Sequence, residues 1–216
     1  MIEKETIQYK YWSEIESIGQ YKSVLKNTRI LFSDVIKNHI QLDEDCTLHE
    51  LGCNVGSNLK ILADIYENME TTGNDIGKEA IKNAHHHERV KIYEKDTVEY
   101  LKEMKPVDYM ITMAHLIHLP NTCDKELKKW IPLKCKKKLI IYEQNLVAPK
   151  KIRIPPRGER IFFDAGYKKK DKFMIKFARN YDTFFDLQLV EKRGTGSSYQ
   201  IWVYENTNCY DRPLVL

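Results

Sequence analysis

The sequence predicts an α/β fold: a largely parallel sheet covered by helices on both faces and finished by an antiparallel hairpin. Two patterns and the composition predict it. Between residues 46 and 144 short apolar runs alternate with stretches of helical periodicity, the signature of parallel strands joined by crossover helices. Near the end, FFDLQLVEKRGTGSSYQIWVYE places two apolar runs around RGTGSS, whose glycines suit a hairpin turn. The chain has 216 residues, 42% hydrophobic and 31% charged, enough for one sizeable core and ordinary for a globular protein.

The elements follow in order. Residues 1–44 read as helical: Tyr11, Trp12, Ile15, Ile18, Tyr21 and Leu25 recur at helical spacing, and Ile30, Leu31, Val35, Ile36 and Ile40 give a second helix an apolar face. CTLHELG (46–52) is the first strand, SNLKILADIYEN (57–68) a helix, ETTGNDI (70–76) a strand and KEAIKNAHHHE (78–88) a helix. VKIYEKD, VDYMITMA and KKLIIYEQ continue the strand series. The segment 145–173 is too long for a simple connection and reads as an insertion along an irregular, proline-broken path. One domain therefore divides into a helical lid (1–44), a ligand-binding core (45–145), a substrate-binding insertion (146–180) and a C-terminal strand pair with a tail (181–216).

Charge and cysteine content narrow the class. The formal net charge is +4, with lysine runs at 134–138, 149–151 and 167–172 that read as solvated surface. MIEKETIQYKYW carries charges where a signal peptide would need an apolar segment, and no apolar run approaches the ~20 residues of a membrane span. A cytoplasmic protein without membrane association is expected. The five cysteines form neither a C-x-x-C pair nor a disulfide framework. The HHH run at 85–87 cannot turn all three rings to one ion from a helix, so no metal site is expected there and the run reads as a solvated helix end.

The chemistry concentrates at LHELGCNVGSN, 48–58, where the first strand runs into a glycine turn. In an open sheet of this kind ligands bind beyond the carboxyl ends of the strands, so Gly52 and Gly56 mark a tight turn and a close approach. The G-x-G-x-x-G dinucleotide pattern fails, because Asn54 stands at its second glycine, and a Walker loop lacks its Gly-Lys-Ser/Thr. Glu50 would repel a pyrophosphate but suits a ligand with an ammonium or sulfonium charge, and S-adenosylmethionine has both. Asp75 closes the next strand, where an acid accepts from both hydroxyls of a ribose. Asp96 follows the third, in position for an adenine amino group. Taken singly, each acid has a plain alternative as a helix cap.

These motifs resemble those of class I S-adenosylmethionine-dependent methyltransferases over about residues 46–145: HELGCNVGSN the first motif, TTGNDIGKEAI the second, KDTVEYL the third and VDYMITMAHLIHLP the fourth. The resemblance implies a Rossmann-like sheet of seven strands with the last antiparallel. It implies that Glu50, Gly52, Cys53, Asn54, Gly56 and Asn58 surround the methionine part of S-adenosyl-L-methionine. Asp75 and Ile76 would face ribose and adenine, Asp96 and Thr97 the adenine, and Met113, Tyr11 and Trp12 would complete the cofactor site.

Methyl transfer needs a base only where the nucleophile holds its proton tightly, as a sugar hydroxyl does. His118 is the first choice and His115 the second, both in the segment after the fourth strand; His115 is also a candidate cofactor contact. The Asn/Asp-Pro-Pro-Tyr and Pro-Cys signatures of DNA base methylation are absent. Arg153, Arg157 and Arg160 in the insertion, with Glu143 at the end of the fifth strand, are candidate substrate residues, and arginine forks favour an anionic acceptor. QYKYWSEIESIGQY and IPPRGERIFFDAGYKKKDKF also resemble the outer segments of methylases from bacterial surface-carbohydrate clusters, those of pseudaminic acid biosynthesis among them. Here Pro156 replaces a tyrosine of that pattern. The expectation is O-methylation of a small anionic acceptor, an acidic sugar or phosphorylated metabolite, by a monomer or homodimer. The alternatives are methylation of RNA, protein or an amine, and a non-catalytic cofactor-binding module.

Overall fold

The computed structural model describes residues 34–40, 45–145, 159–162, 174–177, 179–195 and 199–207. Their centre is a seven-stranded sheet in the order β3-β2-β1-β4-β5-β9-β8. β1 (Cys46–Leu51), β2 (Met69–Asp75), β3 (Val90–Glu94), β4 (Val107–Met113) and β5 (Cys135–Gln144) are parallel neighbours. β9 (Tyr199–Glu205) pairs antiparallel with both β5 and β8 (Gln188–Gly194). The expected sheet and its reversed last strand are both present. Strand order turns between β1 and β4, and the loops after these strands carry the candidate site.

The central strands are apolar on both faces because both are covered. Along β5, Leu139 and Ile141 enter one core with Leu101 of α3 (Thr97–Glu103) and Leu127 and Ile131 of α4 (Asp124–Lys134). Ile140 between them enters the opposite core with Leu59 and Leu62 of α1 (Ser57–Ile65). The alternation is the period of two of a pleated strand, and it explains why β5 reads as a continuous apolar run. Val35, Ile36 and Ile40, in and just after the helical stretch 34–39, lie in this second core. The described end of the expected lid is thus a core element; Tyr11 and Trp12 lie outside the described residues.

Two expectations are corrected. The second helix, α2, covers only Lys78–Lys82 rather than 78–88. Asn83 ends it by donating from Nδ2 to the Glu79 carbonyl at 2.7 Å, and the His85 amide then leaves the helix to donate to Val55 O at 2.9 Å. The histidine run is therefore an extended fastening to the start and end of α1. His85 Nε2 lies 3.1 Å from Ser57 Oγ and His87 Nε2 3.3 Å from Asp64. The insertion is not irregular throughout: β6 (Glu159–Phe162) and β7 (Met174–Phe177) form a separate antiparallel pair with Arg160 opposite Lys176.

Candidate functional site

The turn after β1 is built from left-handed residues. Gly52, Asn54 and Gly56 have φ of 66°, 51° and 74°. Asparagine is among the few non-glycine residues that visit this region routinely, so Asn54 preserves the path of the glycine it replaces. Its side-chain oxygen accepts from the Val55 amide at 2.8 Å, and its own amide donates to Asp75 Oδ2 at 2.8 Å. The other Asp75 oxygen accepts from the Gly77 amide at 2.8 Å. Asp75, half-buried at the end of β2 with Ile76 beside it, thus ties the first loop to the second. Burial raises its pKa, opposed by the surrounding backbone amides.

Beneath the loop, buried Glu50 accepts from Asn58 Nδ2 at 2.6 Å, and the same amide group lies 3.5 Å from Met113 Sδ. Asn58 Oδ1 is buried with no donor among the described residues. An acidic floor, a left-handed loop and an orphaned amide oxygen suit a ligand that carries an ammonium group. Cys53 is buried, and burial, followed by the charges of Glu50 and Asp75, holds its thiol well above its ordinary pKa, so it packs rather than reacts.

The close approaches at the two glycines are made by the chain itself. A Cβ on Gly52 would stand 2.1 Å from the His115 ring, and one on Gly56 2.4 Å from Ile92 Cδ1. Gly52→Ala therefore both strains the backbone, by about 1–2 kcal/mol for its left-handed residue, and expels the His115 ring. A fall in stability of at least that size in urea, accompanied by displaced His115 resonances, is the expected result.

Asp96 is the N-cap of α3: its Oδ1 accepts from the Val98 amide at 2.8 Å and the Glu99 amide at 3.1 Å. Thr97, the first helical residue, is buried and points its hydroxyl at His115 Nε2, 2.8 Å away. The acids of three successive strand ends thus also brace the loops that they were expected to furnish.

The turn after β4 is held at both ends by buried charges. Ala114 opens it with φ 52°, an uncommon conformation for alanine, while its amide donates to Tyr142 O at 2.8 Å. Glu143 Oε1 accepts from the His115 and Leu116 amides at 2.8 and 2.7 Å. From the other side, Arg179 Nη1 donates to Leu116 O, and Nη2 donates to Leu119 O at 2.7 Å and Pro120 O at 3.1 Å. Its Nε donates to Asp124 Oδ1 at 2.8 Å. Between the two clamps a 3₁₀ turn, Leu116–His118, buries His118 and bonds its amide to His115 O at 2.9 Å.

Glu143, expected at the acceptor, is fully buried as a bracket for this turn. Sequence reasoning missed Arg179, which lies two residues beyond β7 and links the insertion to the histidine turn. It also missed His49 and Asn74, buried on neighbouring strands and bonded through His49 Nε2 and Asn74 Oδ1 at 3.0 Å. Strand alternation placed both inside, and a polar residue at an inward position was the available signal. Arg153 and Arg157 lie outside the described residues, and Arg160 is placed on β6 without a described side chain.

Neither a protein-family model nor a curated protein matches this chain. Solved structures do match in fold. The chain is similar to magnesium protoporphyrin IX methyltransferase from Synechocystis PCC 6803 with bound SAM, at TM-score 0.57 and 12% identity over 93% of this chain and 90% of that one. It is similar to human N-acetylserotonin methyltransferase in complex with SAM, at TM-score 0.59 and 15% identity over 94% of this chain and 57% of that one. A third match is a Haemonchus contortus N-methyltransferase in complex with phosphomonomethylethanolamine and S-adenosylhomocysteine, at TM-score 0.53 and 16% identity over 65% of this chain and 36% of that one. The fold is that of class I S-adenosylmethionine-dependent methyltransferases.

Proposed function

We propose that this chain is an S-adenosyl-L-methionine-dependent methyltransferase acting on a small anionic acceptor. The observation that carries the reading is the acidic set Glu50, Asp75 and Asp96 at the carboxyl ends of β1 to β3, with Asp75 bonded to the left-handed loop after β1, Glu50 to the helix that follows it and Asp96 capping α3. Glu50, Asn58 and Met113 would hold the ammonium end of the cofactor, Asp75 and Ile76 the ribose side, and Asp96 and Thr97 the base side. When bound, that group supplies a methyl carbon activated by a sulfonium. The protein's share is then to hold the acceptor oxygen in line and to exclude water. His118, on a turn fixed at both ends, would relieve a hydroxyl acceptor of its proton.

An acidic sugar or a phosphorylated metabolite of bacterial surface-glycan synthesis is the acceptor class that this reading favours. Its support is the arginine spacing of the insertion and the resemblance of the outer segments to surface-carbohydrate methylases. Calorimetric titration with S-adenosylhomocysteine, of the parent and of Asp75→Asn, tests the cofactor half. We expect saturable binding, weakened roughly tenfold or more by the substitution, as for loss of a charge-assisted hydrogen-bond pair. An absence of binding by the parent would sink the proposal.

A further inference from the structure

The hydrogen bonds behind His115 fix which of its nitrogens carries the proton. The chain of reasoning starts at Lys95, whose carbonyl can only accept. Asn74 Nδ2 faces it at 3.0 Å, which orients the amide and leaves Asn74 Oδ1 facing His49. His49 Nε2 must therefore be the protonated nitrogen, and His49 Nδ1 accepts from the Thr72 hydroxyl 2.8 Å away. The second Asn74 proton points at Thr97 Oγ1, 3.2 Å away. That hydroxyl, already accepting, keeps one proton to give, and His115 Nε2 at 2.8 Å is its one acceptor among the described residues. A proton on Nε2 would leave the buried Thr97 hydroxyl with nowhere to donate.

We infer that His115 is locked as the Nδ1–H tautomer by Thr97, Asn74 and His49, and so serves the site as a hydrogen-bond donor rather than as its base. Nδ1 lies over Gly52, 2.1 Å from where a Cβ would stand, and has no partner among the described residues. The ligand group that fits it is an acceptor-only oxygen: a carboxylate, a phosphate or a carbonyl. Burial, with the Arg179 charge adding to it, holds the His115 pKa down to about 4, so the ring stays neutral and the donor is an ordinary N–H. The ligand class rests on the function proposed above; the tautomer does not. In setting this donor Thr97 and Asn74 are positioning residues, since they reach the ligand group through His115. With His115 committed as a donor, proton removal from an acceptor falls to His118.

Long-range nitrogen–proton spectra of protein labelled with ¹⁵N-histidine, recorded without ligand at pH 7, read the tautomer directly. His115→Phe identifies its signals by their loss. The expected parent spectrum shows His115 with a pyridine-type Nε2 and a pyrrole-type Nδ1. Thr97→Val should move His115 toward the Nε2–H form and Thr97→Ser should restore the parent pattern. The His49 signals, one bond-pair removed, report that the valine variant is folded. A pyrrole-type Nε2 on His115 in the parent would overturn the inference, as would a tautomer indifferent to Thr97→Val in a protein with unchanged His49 signals. Because the spectra need no cofactor, their outcome is separate from that of the calorimetric titration.

Discussion

Arg179→Ala is expected to remove about 3 kcal/mol of folding stability, the usual cost of deleting one partner of a buried, fully bonded charge. The residue is 4% exposed, and its side chain bonds Leu116, Leu119, Pro120 and Asp124 at once. Its loss strands the Leu119 carbonyl, leaves the Leu116 and Pro120 carbonyls with only the Leu119 and Cys123 amides, and removes the cation that offsets the burial of Glu143. For a chain of this length the cost corresponds to a fall of roughly 6–12 °C in Tm. Arg179→Lys should recover only part of it, because an ammonium cannot span carbonyls on both sides of the turn as a planar fork does. Thermal unfolding of the three proteins checks this. An alanine variant as stable as the parent would show that the turn after β4 stands without its clamp. S-adenosylhomocysteine affinity, if the proposed function holds, should suffer less than acceptor turnover, since Arg179 touches the histidine turn and not the loop after β1.

The second large effect concerns pH. Burial pushes the Glu143 carboxyl up to about 7 from an ordinary 4.5, against the opposing pull of the His115 and Leu116 amides and of Arg179. Between those two values the folded chain holds a proton that the unfolded chain has lost. Stability attributable to this group therefore falls as pH rises through the window, and levels off above about 7. The full shift is worth ~3 kcal/mol. Glu143→Gln keeps an oxygen for the two amides and cannot ionise. Its stability relative to the parent should improve steadily from pH 4.5 to 7, by up to that amount, in urea unfolding series at fixed ionic strength. Parallel profiles for the two proteins would mean that the carboxylate ionises in place without penalty.

Much of the fold was legible because its signals are local and redundant. β5 is a run of branched apolar residues with a core on each face, and the β8–β9 hairpin announced itself by glycines between two such runs. Helix α2 was overextended for a tertiary reason. Residues 83–88 have acceptable helical propensity, but the His85 amide finds a carbonyl on the glycine loop, and no propensity reports that. The site divides along the same line. Glu50, Asp75 and Asp96 could be read from their order after strands, since a strand end fixes where a side chain must be. Their partners could not. Arg179 acts on carbonyls some sixty positions earlier, and Glu143 looks in sequence like any acid at a strand end until burial turns it into a bracket.

The antiparallel β9 has a consequence for how the molecule is assembled. By residue 144 the five parallel strands have all been made, yet β5 still presents Leu139, Ile140 and Ile141 along an open edge that only residues 199–205 will cover. The intervening stretch must be looped out before that edge is closed, which raises the contact order and delays completion of the core. Tyr204 and Trp202 then bond Tyr181 O and Asp182, the short segment just past Arg179. Sealing the sheet and seating the clamp on the histidine turn are accordingly the same late event. A nascent or nicked chain lacking β9 would carry both an adhesive β-edge and an unassembled site, so an intact edge doubles as proof-reading: only chains that have escaped aggregation own a finished histidine turn.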